Sequence, residues 1–176
     1  MKLITEEISQ VKIISEGRGS NKTLHIEGVF LQGGIKNRNG RMYPIDTLAR
    51  EVGRYNENFI KKGRALGELG HPDGPTVNLD RVSHKITSLV REGNNFVGKA
   101  KLLSTPMGKI ASSLIGEGVT LGVSSRGVGT LKEDQTGCKV VGEDFQLATA
   151  ADIVCLLYTS DAADEGLGVD LGGRRI

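Results

Sequence analysis

Two short segments of this chain carry residue types able to run nucleophilic chemistry. One is Gly122-Val123-Ser124-Ser125-Arg126-Gly127-Val128-Gly129, a serine pair bracketed by glycines. The other is Gly67-Glu68-Leu69-Gly70-His71-Pro72, a histidine beside a turn proline. A serine hydroxyl is a weak nucleophile until a base takes its proton, so a hydrolase needs an imidazole within about 3 Å of it. No local motif joins the two segments. Only the fold can bring them together.

The chain contains three histidines. His25 alternates within a strand pattern and reads as a structural or surface residue. His84, in Val82-Ser83-His84-Lys85, also lies in a strand pattern and could support a site or face solvent. His71 stands where a short apolar run gives way to Pro72-Asp73-Gly74-Pro75, a rigid loop end able to fix the orientation of a ring. Ser124 and Ser125 point to opposite faces of a regular strand, so only one can meet His71. The residues alone do not choose between them. The neighbouring Gly122, Gly127 and Gly129 would allow a peptide substrate to approach closely, and would equally suit a bulged strand.

A base that becomes imidazolium gains from a third, orienting group. Asp152 is the candidate, because it interrupts the otherwise apolar segment Ala148-Thr149-Ala150-Ala151-Asp152-Ile153-Val154. A carboxylate in such a strand is costly to bury unless it is paired. Other chemistries find no support. Gly93-Asn94-Asn95-Phe96-Val97-Gly98-Lys99-Ala100 has phosphate-loop glycine spacing, but Ala100 replaces the magnesium-binding hydroxyl and the stretch reads as a hairpin. The two cysteines, Cys138 and Cys155, lack metal-site spacing, so no metal is implied.

The elements that must hold these residues are mostly strands. Residues 8–16 and Thr23 to Gln32 read as strands, as do Val82 to Arg91 and Asn95 to Leu103 around a Glu92-Gly93-Asn94 turn. Val119 to Leu131 is the serine strand; Lys139 to Val141 and Phe145 to Val154 follow it. Leu48, Val52, Tyr55 and Phe59 recur on one helical face after Pro44. Ser104-Thr105-Pro106 opens a second helix with Met107, Ile110, Ala111, Leu114 and Ile115 as its buried stripe. Strands with two helices between them suggest a barrel or strongly curved sheet carrying its helices outside.

A length of 176 residues suits one domain, and a formal charge of +2 is too small to point to nucleic acid. No apolar run reaches membrane-spanning length and the first residues lack a secretion signal, so a soluble protein of a reducing compartment, without membrane partners, is expected. From Cys155 the texture changes. Cys155-Leu156-Leu157-Tyr158-Thr159-Ser160 resembles the translation of a transposase adapter used to prepare sequencing libraries. Residues 1–154 are therefore read as a C-terminally truncated domain and 155–176 as a tail that is not native.

Several segments together resemble the prohead core proteases of tailed bacteriophages, capsid-maturation enzymes related in fold to the herpesvirus assemblins. They are Glu27-Gly28-Val29-Phe30, Asn37-Arg38-Asn39-Gly40-Arg41-Met42-Tyr43-Pro44, Ala65 to Pro72, Val77 to His84 and Gly122 to Gly127, in family order. The resemblance implies an α+β, mainly β fold with flanking helices, built as a closed antiparallel β-barrel of the assemblin type. It implies His71 as general base, Ser124 as nucleophile and Asp152 as third member. It further implies a serine endopeptidase that needs no cofactor and acts inside the prohead in the host cytoplasm. Scaffold and capsid proteins, and the enzyme itself, would be its substrates, cut after a glutamate with an apolar residue two positions earlier. Assemblins are dimers, so a homodimer is one arrangement it allows. Family members usually carry a Pro-Ser-Ala-Pro-like loop after the acid, which in the assemblin-like fold helps form the oxyanion hole; here Cys155 onward replaces it. The competing readings are a non-catalytic capsid- or scaffold-binding β-barrel module and an inactive protease fragment.

Overall fold

The computed structural model describes residues 1–8 and 11–155. In chain order its elements are β1 (Lys2–Ile8), β2 (Val11–Glu16), β3 (Thr23–Gln32), β4 (Arg41–Met42), α1 (Ile45–Tyr55) and β5 (Leu66–Glu68). These are followed by β6 (Val82–Glu92), β7 (Asn95–Leu102), α2 (Pro106–Gly116), β8 (Gly122–Gly129), β9 (Leu131–Glu133), β10 (Lys139–Val141) and β11 (Gln146–Val154). The adapter-like residues after Cys155 and the position of an oxyanion loop there lie outside the described residues.

Among the described residues the strands form three sheets, ordered β1-β8-β11, β2-β3-β7-β6-β5 and β4-β10-β9. The mainly β, α+β expectation holds. The closed antiparallel barrel does not: the ladders stay open, and β4 pairs with β10 in parallel. The two larger sheets meet instead along a seam between β5 and β11, where Leu69 and Ile153 make a single bridge. Buried ionic side chains, described below, fill that seam where a continuous ladder would run.

The core lies between the sheets and under α1. Leu48 and Tyr55 of the predicted helical stripe are fully buried beside Phe30, Phe96, Phe145 and Ile86. The helix runs on into a π-helical turn, Asn56–Ile60, where Phe59 stacks on Tyr55 with ring centroids 5.1 Å apart. Polar groups dock α1 onto the start of β11. Glu51 Oε2 accepts the Leu147 amide at 3.0 Å and Arg54 donates to the Leu147 carbonyl at 2.8 Å.

At α2, Thr105 caps the helix by accepting the Gly108 amide, as its hydroxyl and the following proline predict. The expected apolar stripe is narrower than read. Ala111 is buried but Ile110 is exposed, because the helix meets the sheet along Gly108 and Ala111.

Candidate active site

The serine strand β8 is the middle strand of its sheet. Its ladders with β1 and β11 place Glu7, Ser124 and Asp152 in one transverse row, Glu7 opposite Ser124 on one side and Asp152 opposite it on the other. Directly opposed residues share a face of the sheet. Ser125 has Glu6 as its neighbour and belongs to the other face. There it lines a cavity of about 430 Å³ together with Glu6, Val29, Phe30, Lys36 and Arg38. Both serines are buried.

The histidine loop is laid over the Ser124 face by main-chain bonds. The Leu69 amide donates to Arg81 O at 3.1 Å, and the Gly70 amide donates to Ile153 O at 2.7 Å. Ile153 opposes Val123, the residue before Ser124. His71 therefore follows directly from the point where the chain touches β11. Its Nε2 lies 3.0 Å from Glu7 Oε1, and both side chains are partly exposed. Glu7 thus holds the imidazole of His71 and stands opposite Ser124 in the row. The Ser124 hydroxyl donates weakly to the Ser125 carbonyl at 3.5 Å.

Asp152 stands next to Ser124 but spends its carboxylate elsewhere. Oδ2 accepts from Arg126 Nε at 2.8 Å; Oδ1 accepts from Arg126 Nη2 at 3.2 Å and from the Glu68 amide at 2.9 Å. Burial raises its pKa above the ordinary carboxylate value, opposed by the bonds from Arg126 and Glu68. Arg126, two residues along β8 from Ser124 and fully buried, also donates to Glu68 Oε2 at 3.2 Å. Its Nη1 donates to the carbonyls of Gly74 and Thr76 at 2.6 and 3.0 Å. Glu68 in turn accepts the Asn78 amide and side chain. One guanidinium therefore ties β8, β11 and β5 to the loop that carries His71, using the fork of donors that only arginine offers.

Sequence reasoning named neither Arg126 nor Glu68 nor Glu7 as part of the site. The signal for Arg126 was present: Asp152 in an apolar strand requires a buried cation, and Arg126 is the charge inside the serine segment.

His84 is not solvent-facing. It is fully buried, and Nε2–H donates to Ala151 O at 2.7 Å, leaving Nδ1 to accept the Ser83 hydroxyl at 2.8 Å. Burial drives its pKa down to about 4, against the bond to Ala151, so the ring is neutral at pH 7. Its opposite residue is Gly67, where an added Cβ would lie 2.1 Å from Nε2. The glycine requirement here comes from the histidine ring. Gly127 likewise makes room for Phe145, whose ring an added Cβ would meet at 2.5 Å. That contact, rather than the approach of a substrate, accounts for Gly127.

The segment Asn37 to Tyr43 fixes β1 from the opposite side. Glu6 accepts from Arg41 and Asn39, each at 2.6 Å, and from the Tyr43 hydroxyl at 3.3 Å. Burial, and then the Glu6 charge, push the Tyr43 hydroxyl well above its ordinary pKa, which keeps it a donor. Arg41 also donates to Thr5 O at 3.0 Å. With Glu6 gripped on one face, Glu7 is presented on the other.

The chain is thus an α+β, mainly β protein whose His71 loop is laid over the strand that buries Ser124. The chain belongs to the prohead core protein serine protease family, whose match runs over residues 5–164. It is 37% identical over 140 residues to the prohead core protein protease of Enterobacteria phage T4, an alignment covering 77% of this chain and 65% of that protein. The chain thus spans a little under two thirds of that relative's length. Its fold is similar to the solved structure of the bacteriophage T4 capsid assembly protease, with a TM-score of 0.81 and 33% identity. That superposition covers 87% of this chain and 96% of the other.

Proposed function

We propose that this chain is a serine endopeptidase of phage prohead maturation. His71 acts as general base and Ser124 as nucleophile. The single observation that carries the assignment is the row Glu7–Ser124–Asp152 lying under a loop whose first turn is bonded to Ile153. The same row favours Ser124 over Ser125, because the imidazole is held by the neighbour of Ser124. His71 removes the hydroxyl proton as the serine oxygen attacks a peptide carbonyl. The acyl-enzyme forms through an oxyanion, the imidazolium protonates the leaving amine, and water repeats the sequence. Asp152, expected as third member, serves as a positioning residue: it holds Arg126, which holds the histidine loop.

Membership of the prohead protease family supports scaffold and capsid proteins as substrates, with cleavage inside the assembling prohead in the host cell. Self-cleavage and a homodimer belong to the same proposal. So does the division into a protease domain over residues 1–154 and a tail of foreign origin over 155–176. The near-complete burial of Ser124 favours the second reading, a non-catalytic capsid- or scaffold-binding module.

A serine-directed phosphonate separates the two. The protease reading expects labelling that disappears in Ser124→Ala and persists in Ser125→Ala. Absence of labelling in the unaltered protein supports the binding module, whereas labelling kept in Ser124→Ala and lost in Ser125→Ala moves the nucleophile to Ser125.

A further inference from the structure

The five-stranded sheet turns one face to the core and the other away from it. Ile26, Ala100 and Ile86 are register partners in one row, and all three are core residues. The adjoining row, His25–Lys101–Lys85, therefore lies on the outer face. Two lysines stand directly opposite each other there, a pairing that destabilises a sheet. The acids of this face are matched to other cations: Glu16 bonds Lys99, and Glu27 opposes Lys12 and Lys99 in the ladders. The lysine ion pairs among the described residues are Lys61–Glu57 and Lys99–Glu16, so Lys85 and Lys101 have none. His25 is buried in the same row, and its Nδ1 lacks a hydrogen-bond partner, Glu16 Oε2 standing 3.6 Å away.

At its α2 end the same sheet borders a cleft of about 590 Å³. Lys22, Lys101 and Lys109 line it, with the hydroxyl residues Thr23, Ser112 and Ser113. Three elements thus bring an ammonium group to one volume: the turn before β3, strand β7 and helix α2. Lys109 is the single charged residue of α2. Among the described residues no carboxylate and no aromatic ring lines the cleft, and it shares no residue with the His71 loop or the Ser124 row.

We propose that this cleft docks a carboxylate-rich stretch of a protein chain. Its use as a substrate-docking site remote from Ser124 rests on the protease reading above. Acidic side chains seat among the three lysines, and the hydroxyls donate to their oxygens. Charge complementarity supports carboxylates. The lack of an aromatic platform on which bases stack argues against single-stranded nucleic acid. The volume is that of clefts that enclose a small ligand, so the site grips a short segment. An anion beside Lys101 also relieves its opposition to Lys85, which the unoccupied sheet bears uncompensated. Lys22 and Lys109 are exposed and Lys101 is half-buried, so each pair contributes modestly and binding weakens with salt.

Fluorescence anisotropy of a fluorescein-labelled hexaglutamate peptide reads the site, using the full chain with Ser124→Ala to prevent cleavage. The double variant Lys101→Glu, Lys109→Glu is expected to weaken binding about tenfold or more. The charge-matched variant Lys132→Glu, Lys139→Glu, on the small sheet, should leave it unchanged. Lys101→Gln should weaken binding yet raise Tm by about 1–3 °C by ending the opposition to Lys85, a combination that misfolding cannot produce. No binding of hexaglutamate, equal losses in the two charge-matched variants, or tighter binding of a thymidine oligonucleotide overturns the proposal. The readout is separate from the active site. Phosphonate labelling of Ser124 without peptide binding overturns the docking cleft alone. Peptide binding at the cleft in a protein that the phosphonate does not label supports the cleft and overturns the protease reading.

Discussion

Replacing Arg126 by leucine removes the cation at the centre of the seam between β5 and β11. The guanidinium is fully buried and makes two bonds to Asp152, one to Glu68 and one each to the carbonyls of Gly74 and Thr76. Leucine fills part of the volume but leaves buried Asp152 without a counter-ion and Glu68 with only the partly exposed Arg81, 3.6 Å away. Breaking a buried pair from one side costs about 3–5 kcal/mol, a large share of the roughly 5–15 kcal/mol that holds a domain together. The loss should carry a pH signature. Asp152 is already raised by burial, and Arg126 is the first of the groups opposing that rise. Without the arginine its folded pKa climbs further above the unfolded value, so the protonated form is favoured in the folded state. The stability deficit of Arg126→Leu must therefore shrink as pH falls through that pKa. Urea unfolding of both proteins at pH 7.5 and pH 5 reads it, and adding Asp152→Asn should recover part of the neutral-pH loss. A neutral-pH deficit below about 1 kcal/mol, unchanged on acidification, would refute the seam as a cooperative ionic joint.

The remaining predictions concern the same wall of the molecule. His84 is neutral when folded with a pKa of about 4, against 6.5 in a free side chain, so the unfolded chain takes up the proton first. Stability should fall as pH drops from about 6.5 to about 4, by about 3 kcal/mol in all, and level off below; a urea midpoint flat across that window would contradict the buried neutral ring. Gly67→Ala would push a methyl to 2.1 Å from His84 Nε2 and 2.4 Å from Ala151 O. Overpacking on this scale costs about 3 kcal/mol and should appear as a drop of several degrees in Tm; an unchanged Tm would mean that β5 can shift freely.

What the sequence disclosed follows from where local signals are strong. The 3.6-residue recurrence of Leu48, Val52 and Tyr55, the Thr105-Pro106 cap and the turn between β6 and β7 all describe neighbours in the chain, and each has its element in the fold. The strand β1 was hidden because Lys2, Thr5, Glu6 and Glu7 mask its alternation. Their polarity is explained only by partners from distant segments, Arg41 and Tyr43 on one face and His71 on the other. The buried stripe of α2 is narrower than its periodicity predicts, because periodicity says which residues share a face but not how close the sheet comes to it. The strands alone suggest a barrel or a strongly curved sheet, and the closed form is what the family resemblance implies; closure depends on long-range pairing that no window of sequence contains. The histidine and serine segments could be singled out by residue type. The commitment of Asp152 to Arg126, and of the imidazole to Glu7, could not, since both are set by register across β8.

A crystal structure of the phosphonate adduct would test the pairing of His71 with Ser124 most directly. Phosphorus bonded to Ser124 Oγ, with an imidazole nitrogen of His71 about 3 Å from that oxygen, is the predicted result. Phosphorus on Ser125 inside the cavity with Phe30, or an adduct at Ser124 from which His71 stands away, would contradict it.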